Sequence, residues 1–148
     1  MREFSASVVI DCEPAQAFDW VADHRHVPDV LDGVTHWQPL GRATGKGARY
    51  EVDMRTFGFP LSAELELNVW QRPSRLGWRS ISGLIEQTGN WRFKPVAGGT
   101  EVSLTIAYEP PAAAIGNFLA GRVEGMVRAR LEAALDRMRD RIERPSVS

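Results

Sequence analysis

Cysteine is nearly absent from this chain. Cys12 is the only one among 148 residues, which excludes an internal disulfide, a thiolate metal cluster and a paired redox motif. Lysine is almost as scarce, with Lys46 and Lys94 alone, and 18 basic residues against 19 acidic ones leave a net charge of -1. Charge so evenly spread raises no field for nucleic acid or another polyanion. Long hydrophobic runs are missing too: no stretch approaches the ~18 apolar residues that span a bilayer, and Met1-Arg-Glu-Phe-Ser has no apolar signal core. These absences point to a cytoplasmic protein without an integral membrane segment, touching a membrane surface at most transiently. His24, His26 and His36 come with no carboxylate set at ligand spacing, so neither a metal nor a cofactor is expected.

What remains is an ordinary globular composition, 43% hydrophobic and 25% charged. The length suits a single domain over residues 1–148, ordered over about 2–143, as a monomer or homodimer. Apolar and polar residues alternate over Glu3 to Cys12, Val34 to Leu40, Ala48 to Phe57, Leu61 to Val69, Arg75 to Ser82, Glu86 to Pro95 and Thr100 to Tyr108, giving seven strands. Two short helices follow the first strand, from Pro14 to Asp23 and from His26 to Asp32. Ala112 to about Glu143 lacks proline and carries one apolar stripe through Val123, Met126, Val127, Leu131, Leu135, Met138 and Ile142. The class is α+β: a seven-stranded antiparallel sheet whose apolar face is covered by the long C-terminal helix.

Four segments resemble the START-like superfamily, within it the polyketide cyclase/dehydrase and coenzyme Q-binding groups. They are Val9-Ile-Asp-Cys-Glu-Pro-Ala-Gln-Ala-Phe18, Trp20-Val-Ala-Asp23 with Val27-Pro28, Gly89-Asn-Trp-Arg-Phe-Lys-Pro95 with Gly98-Gly99-Thr-Glu-Val102, and Tyr108-Glu-Pro-Pro111. The resemblance implies a helix-grip fold, a curved sheet around the last helix, with a cavity between them. Relatives use that cavity for lipids, quinones, polyketides or plant hormones.

Inward positions of the expected sheet carry Tyr50, Met54, Trp78, Ser80, Ser82, Trp91, Phe93 and Tyr108, and Phe118 sits near one edge of the helix stripe. Such aromatic surfaces either fill a core or line a ligand pocket. The serine hydroxyls need partners, which water or backbone can also supply. Arg130 falls inside the stripe beside Met126, so its guanidinium snorkels outward, pairs with a carboxylate or meets a polar ligand group. The ligand-binding candidates are therefore Tyr50, Met54, Trp78, Ser80, Trp91, Phe93, Tyr108, Phe118, Met126 and Arg130, for a hydrophobic or aromatic small molecule. His36 faces the cavity or the solvent according to a possible bulge. Gly116, Gly121 and Gly125 serve either close packing against the sheet or a helix start that bends to admit ligand.

Two functions compete. One is binding or transport of a lipid, quinone or polyketide-like molecule, and the other is aromatase/cyclase chemistry. In the aromatase/cyclases that the chain resembles, the strand matching Leu61 to Val69 brings tryptophan, serine and arginine to the pocket; its inward positions here are aliphatic or alanine. No Ser-His-Asp order, phosphate-binding glycine loop or close carboxylate pair adds a catalytic signature, so no catalytic residue is assigned. A third possibility is a protein-interaction patch formed by exposed Trp20, Trp37 or Trp70.

Overall fold

A computed structural model of the chain describes residues 2–56, 59–83, 85–109 and 120–145. Strand β1 (Arg2–Ile10) leads to helix α1 (Pro14–Ala22), a 3-10 turn (His24–His26) and helix α2 (Val27–Val30). Six strands come next: β2 (Val34–Pro39), β3 (Arg49–Thr56), β4 (Phe59–Gln71), β5 (Arg75–Gly83), β6 (Gln87–Val96) and β7 (Gly99–Tyr108). Helix α3 (Ala120–Glu143) comes last, and its expected start at Ala112 lies outside the described residues. All seven strands form one antiparallel sheet in the order β1-β7-β6-β5-β4-β3-β2.

The alternation that marks these strands sorts them onto one buried face. Phe4 and Ile10 of β1, Val102 and Leu104 of β7, Trp91 and Phe93 of β6, and Leu65 and Leu67 of β4 join Leu131, Leu135, Met138 and Ile142 of α3 in a single core. Side chains of alternate residues point to the same side, so each strand turns its apolar set to the one face, which α3 covers over β1 and α1 covers over β5 to β7. This is the helix-grip arrangement.

Three extra residues break the alternation and redirect the side chains beyond them. At Thr35 the pairing of β2 with β3 slips, so His36 pairs with Asp53 on the outer face and Trp37 with Val52 on the inner one. At Asn68 of β4 a second slip places Trp70 opposite buried Leu76. At Ile81 of β5 a third sets Ser80 against Leu65 but Ser82 against Glu64, on the solvent side. The expectations of an inward Ser82 and an outward Trp70 are corrected by these slips, because strict alternation carried them past an inserted residue.

Polar ties hold α3 in place. Arg137 donates to the Val30 carbonyl at 2.5 Å and pairs with Asp32 at 3.3 Å, Arg141 pairs with Asp29 at 3.3 Å, and the Asp11 amide donates to the Glu143 carboxylate at 2.9 Å. The helix thereby bridges α2 and the end of β1.

Candidate functional site

Between the concave face and α3 lies a chamber of about 140 Å³. Its sheet wall is Met54, Trp78, Gln87, Ile106 and Tyr108, Val127 and Leu131 supply the helix wall, and Ile85 extends it between β5 and β6. Leu31 and Asp32, from the link between α2 and β2, and Val34, the first residue of β2, form the rim with Arg130. Gly33 in that link has φ +90, and a Cβ there would meet the Arg55 carbonyl oxygen at 2.6 Å. Glycine thus lets the rim cross close over β3.

The lining is largely apolar, and its polar groups are few. Gln87 is buried opposite Tyr108, its backbone amide donates to the Ser80 hydroxyl at 2.9 Å, and its side-chain nitrogen reaches the Met54 thioether at 4.0 Å. A thioether is a weak acceptor, so the Gln87 amide keeps donor capacity facing the chamber. Tyr108 stacks on Phe4 with ring centres 5.8 Å apart.

A second, smaller chamber of about 40 Å³ shares Leu31, Trp37 and Trp78 with the first. Trp20, Tyr50, Trp70 and Trp91 complete its aromatic walls, with His24 and His26 beside them. Trp78 reaches between the chambers because Gly89 on β6 has no side chain: a Cβ at that position would collide with Cε2 and Cζ2 of the indole. The Tyr50 hydroxyl donates to the Ala43 carbonyl, and burial pushes its phenol pKa upward.

The sequence-derived candidates divide among these places. Met54, Trp78, Tyr108 and Arg130 line the larger chamber; Tyr50 and Trp91, again with Trp78, line the smaller. Arg130 is solvent-exposed at the rim, so it snorkels as an inward-angled arginine can. Ser80 lines neither chamber, since its hydroxyl accepts the Gln87 amide. Phe93 is core: its ring lies 5.6 Å from Phe18, edge to face, under α1. Met126 is 37% exposed and lines neither chamber. Phe118 lies outside the described residues. Gly125 has nothing within 4 Å of its Cβ position, which excludes close packing as its reason; Gly116 lies outside the described residues.

Trp20, Trp37 and Trp70 are not an exposed patch. Each is partly buried and lines the smaller chamber, Trp37 also the larger, so the expected surface role is withdrawn. Sequence reading also passed over Gln87, although extending the Trp91 and Phe93 alternation backward by two-residue steps reaches it. His36 lies on the outer face with Asp53, away from both chambers. Among the described residues, no three His, Cys, Asp or Glu side chains converge as a metal site, and no helix is long and apolar enough to cross a membrane.

Among proteins of curated function none matches the chain by sequence. Solved structures do resemble it. A Thermus thermophilus protein superposes with a TM-score of 0.83 at 23% identity, over 99% of this chain and 100% of that one. A START superfamily protein of Mycobacterium smegmatis gives 0.76 at 13%, over 97% and 99%. The Zhui aromatase/cyclase of a Streptomyces species gives 0.71 at 18%, over 97% and 94%. At these identities the likeness shows a shared fold. The sequence pattern of one family spans residues 1–143, and by it the chain belongs to the family described as polyketide cyclase/dehydrase and lipid transport.

Proposed function

We propose that the protein binds a hydrophobic small molecule, a lipid, quinone or polyketide-like compound, with one ring or chain segment seated in the larger chamber, whose about 140 Å³ suits a group of about that size. The observation that carries this reading is a chamber of about 140 Å³ walled by Met54, Trp78, Ile85, Ile106, Val127 and Leu131, into which one buried amide, Gln87, projects. Apolar walls with few placed polar groups are the usual make-up of a small-molecule site. Gln87 donates to a carbonyl or hydroxyl oxygen of the ligand, and Arg130 at the rim receives its acidic or carbonyl end.

The cyclase/dehydrase part of the family description favours a second reading, turnover of a poly-β-ketone in the same chamber. Against it, Leu61, Ala63, Leu65 and Leu67 give the inner face of β4 no acid, base or hydroxyl. Native mass spectrometry of protein from its own host separates the two: a retained lipid or quinone supports binding, and a cyclised polyketide product supports turnover. In parallel, displacement of 1-anilinonaphthalene-8-sulfonate measures occupancy. Leu131→Trp fills the chamber and is expected to weaken the dye at least about tenfold, or about 1.4 kcal/mol. A Leu131→Trp protein that folds normally and still binds like the parent sinks the proposal.

A further inference from the structure

Among the described residues, Leu31, Trp37 and Trp78 alone line both chambers. Two of them are indoles that meet edge to face, with ring centres 5.9 Å apart at 76°. They stand where the two spaces would otherwise run together. The depth of the larger chamber is therefore decided by two side chains rather than by the sheet itself.

Both indoles are held from behind. Trp78 is buried with its ring over Gly89 of β6, which leaves it no room to move in that direction. Trp37 leans on Trp78 at one side and on Tyr50 at the other, where the rings lie 5.8 Å apart at 42°. Tyr50 is itself buried, and its hydroxyl donates to the Ala43 carbonyl. The insertion at Thr35 is what brings Trp37 to this place: Val34 and Trp37 pair with the inward residues Met54 and Val52, and a regular strand would turn one of the two outward. Beyond the pair lies the smaller chamber, whose about 40 Å³ exceeds the ~10–15 Å³ that one water needs. Its walls include Trp70, Leu76 and Trp91, so it is apolar space of the same character as the larger chamber, closed off from it by rings.

We propose that Trp37 and Trp78 form the end wall of the ligand site and set the length of the group it accepts: a single ring or a short chain whose end meets the indoles, with anything longer left projecting past the rim. This rests on the larger chamber being the binding site and adds what limits the ligand there. Trp37 is the residue through which the limit can be moved, since it is only partly buried whereas Trp78 belongs to the core.

Straight-chain alcohols from butanol to decanol, titrated by calorimetry and by displacement of 1-anilinonaphthalene-8-sulfonate, measure that length. Each buried methylene tightens binding about fourfold, so parental affinity should climb with chain length and level off where the chain reaches the wall. Trp37→Ala joins the chambers; levelling should then come about two methylenes later, with decanol bound at least about tenfold more tightly than by the parent. Trp37→Leu should shift the profile less, in the same direction. Adding Ala22→Leu to Trp37→Ala refills the smaller chamber, which Ala22 lines, and should return the profile towards the parental one. Trp70→Leu widens the smaller chamber behind an intact wall and should leave the parental profile unchanged. Circular dichroism confirms that each variant folds. An unmoved profile in folded Trp37→Ala and Trp37→Leu, an equal shift from Trp70→Leu, or parental affinity that never levels overturns the wall and leaves binding in the larger chamber standing. A parent protein that binds none of the alcohols overturns both.

Discussion

Trp78 occupies its place between the chambers because residue 89 has no Cβ, the position where one would strike the indole edge. Gly89→Ala therefore forces the ring or β6 to shift, with an expected loss of about 1–3 kcal/mol on urea unfolding, as for other overpacked sites. The near-UV circular dichroism of the tryptophans should change with it, whereas far-UV ellipticity stays. An alanine variant with parental stability and an unaltered tryptophan spectrum would contradict the close approach. At this scale the sequence was informative only in part. Tyr50, Met54, Trp78, Trp91 and Tyr108 could be read from alternation, since a residue two places from an inward neighbour faces inward. Whether an inward ring lines a void or fills it depends on residues brought from other strands, which is why Phe93 looked the same as Trp91 and proved to be core.

Strands are legible through repetition, and β3, β4 and β7 fall within a few residues of their expected bounds. Bulges have no such signature. Of the residues inserted here, Thr35 and Ile81 are ordinary strand residues and Asn68 alone is of a type that strands disfavour, yet each reverses the facing of its successors: Trp37 and Trp70 turn inward and Ser82 outward. The helices give a different lesson at Gly125, which stands exposed within α3 with open space at its Cβ position. Gly125→Ala meets no obstacle and removes a residue that disfavours helix, so a gain of about 0.5–1 kcal/mol is expected from thermal or denaturant unfolding. Should ligand exchange also slow in that variant while affinity holds, Gly125 serves motion of the helix; stability without slower exchange assigns it no such part. Arg137 and Arg141 reach α2 from one side of α3, spaced four apart as neighbours on a helix surface, a pairing invisible until α2 and α3 are brought together.

For the molecule as a whole, acid stability depends on carboxylates that arginines keep ionised. Asp23 is lowered from 3.8 to about 2 by its hydrogen bond from Arg25, and Asp19 is lowered by Arg72, whose guanidinium meets it at 2.8 Å. A folded-state pKa below the unfolded value means that the stabilisation is complete above pH 3.8 and lost as pH falls towards 2. Exposure of both arginines keeps the effect modest. Asp23→Asn, which retains an oxygen for the Arg25 amide, should flatten the fall of stability between about pH 4 and pH 2 in acid unfolding; an unchanged slope would remove Asp23 from the account. The overall architecture was the most legible level, because seven alternating segments and one long amphipathic helix leave few ways to bury a shared face. Strand order adds a consequence for synthesis. β1 pairs with β7, Arg2 opposite Tyr108, so during synthesis β1 waits for residues some hundred positions later. Until then its apolar side chains and unpaired backbone are open to other chains, and α3, the last wall of the larger chamber, arrives later still. The larger chamber thus stays open on one side through the synthesis of the whole sheet and closes only when α3 has followed β7.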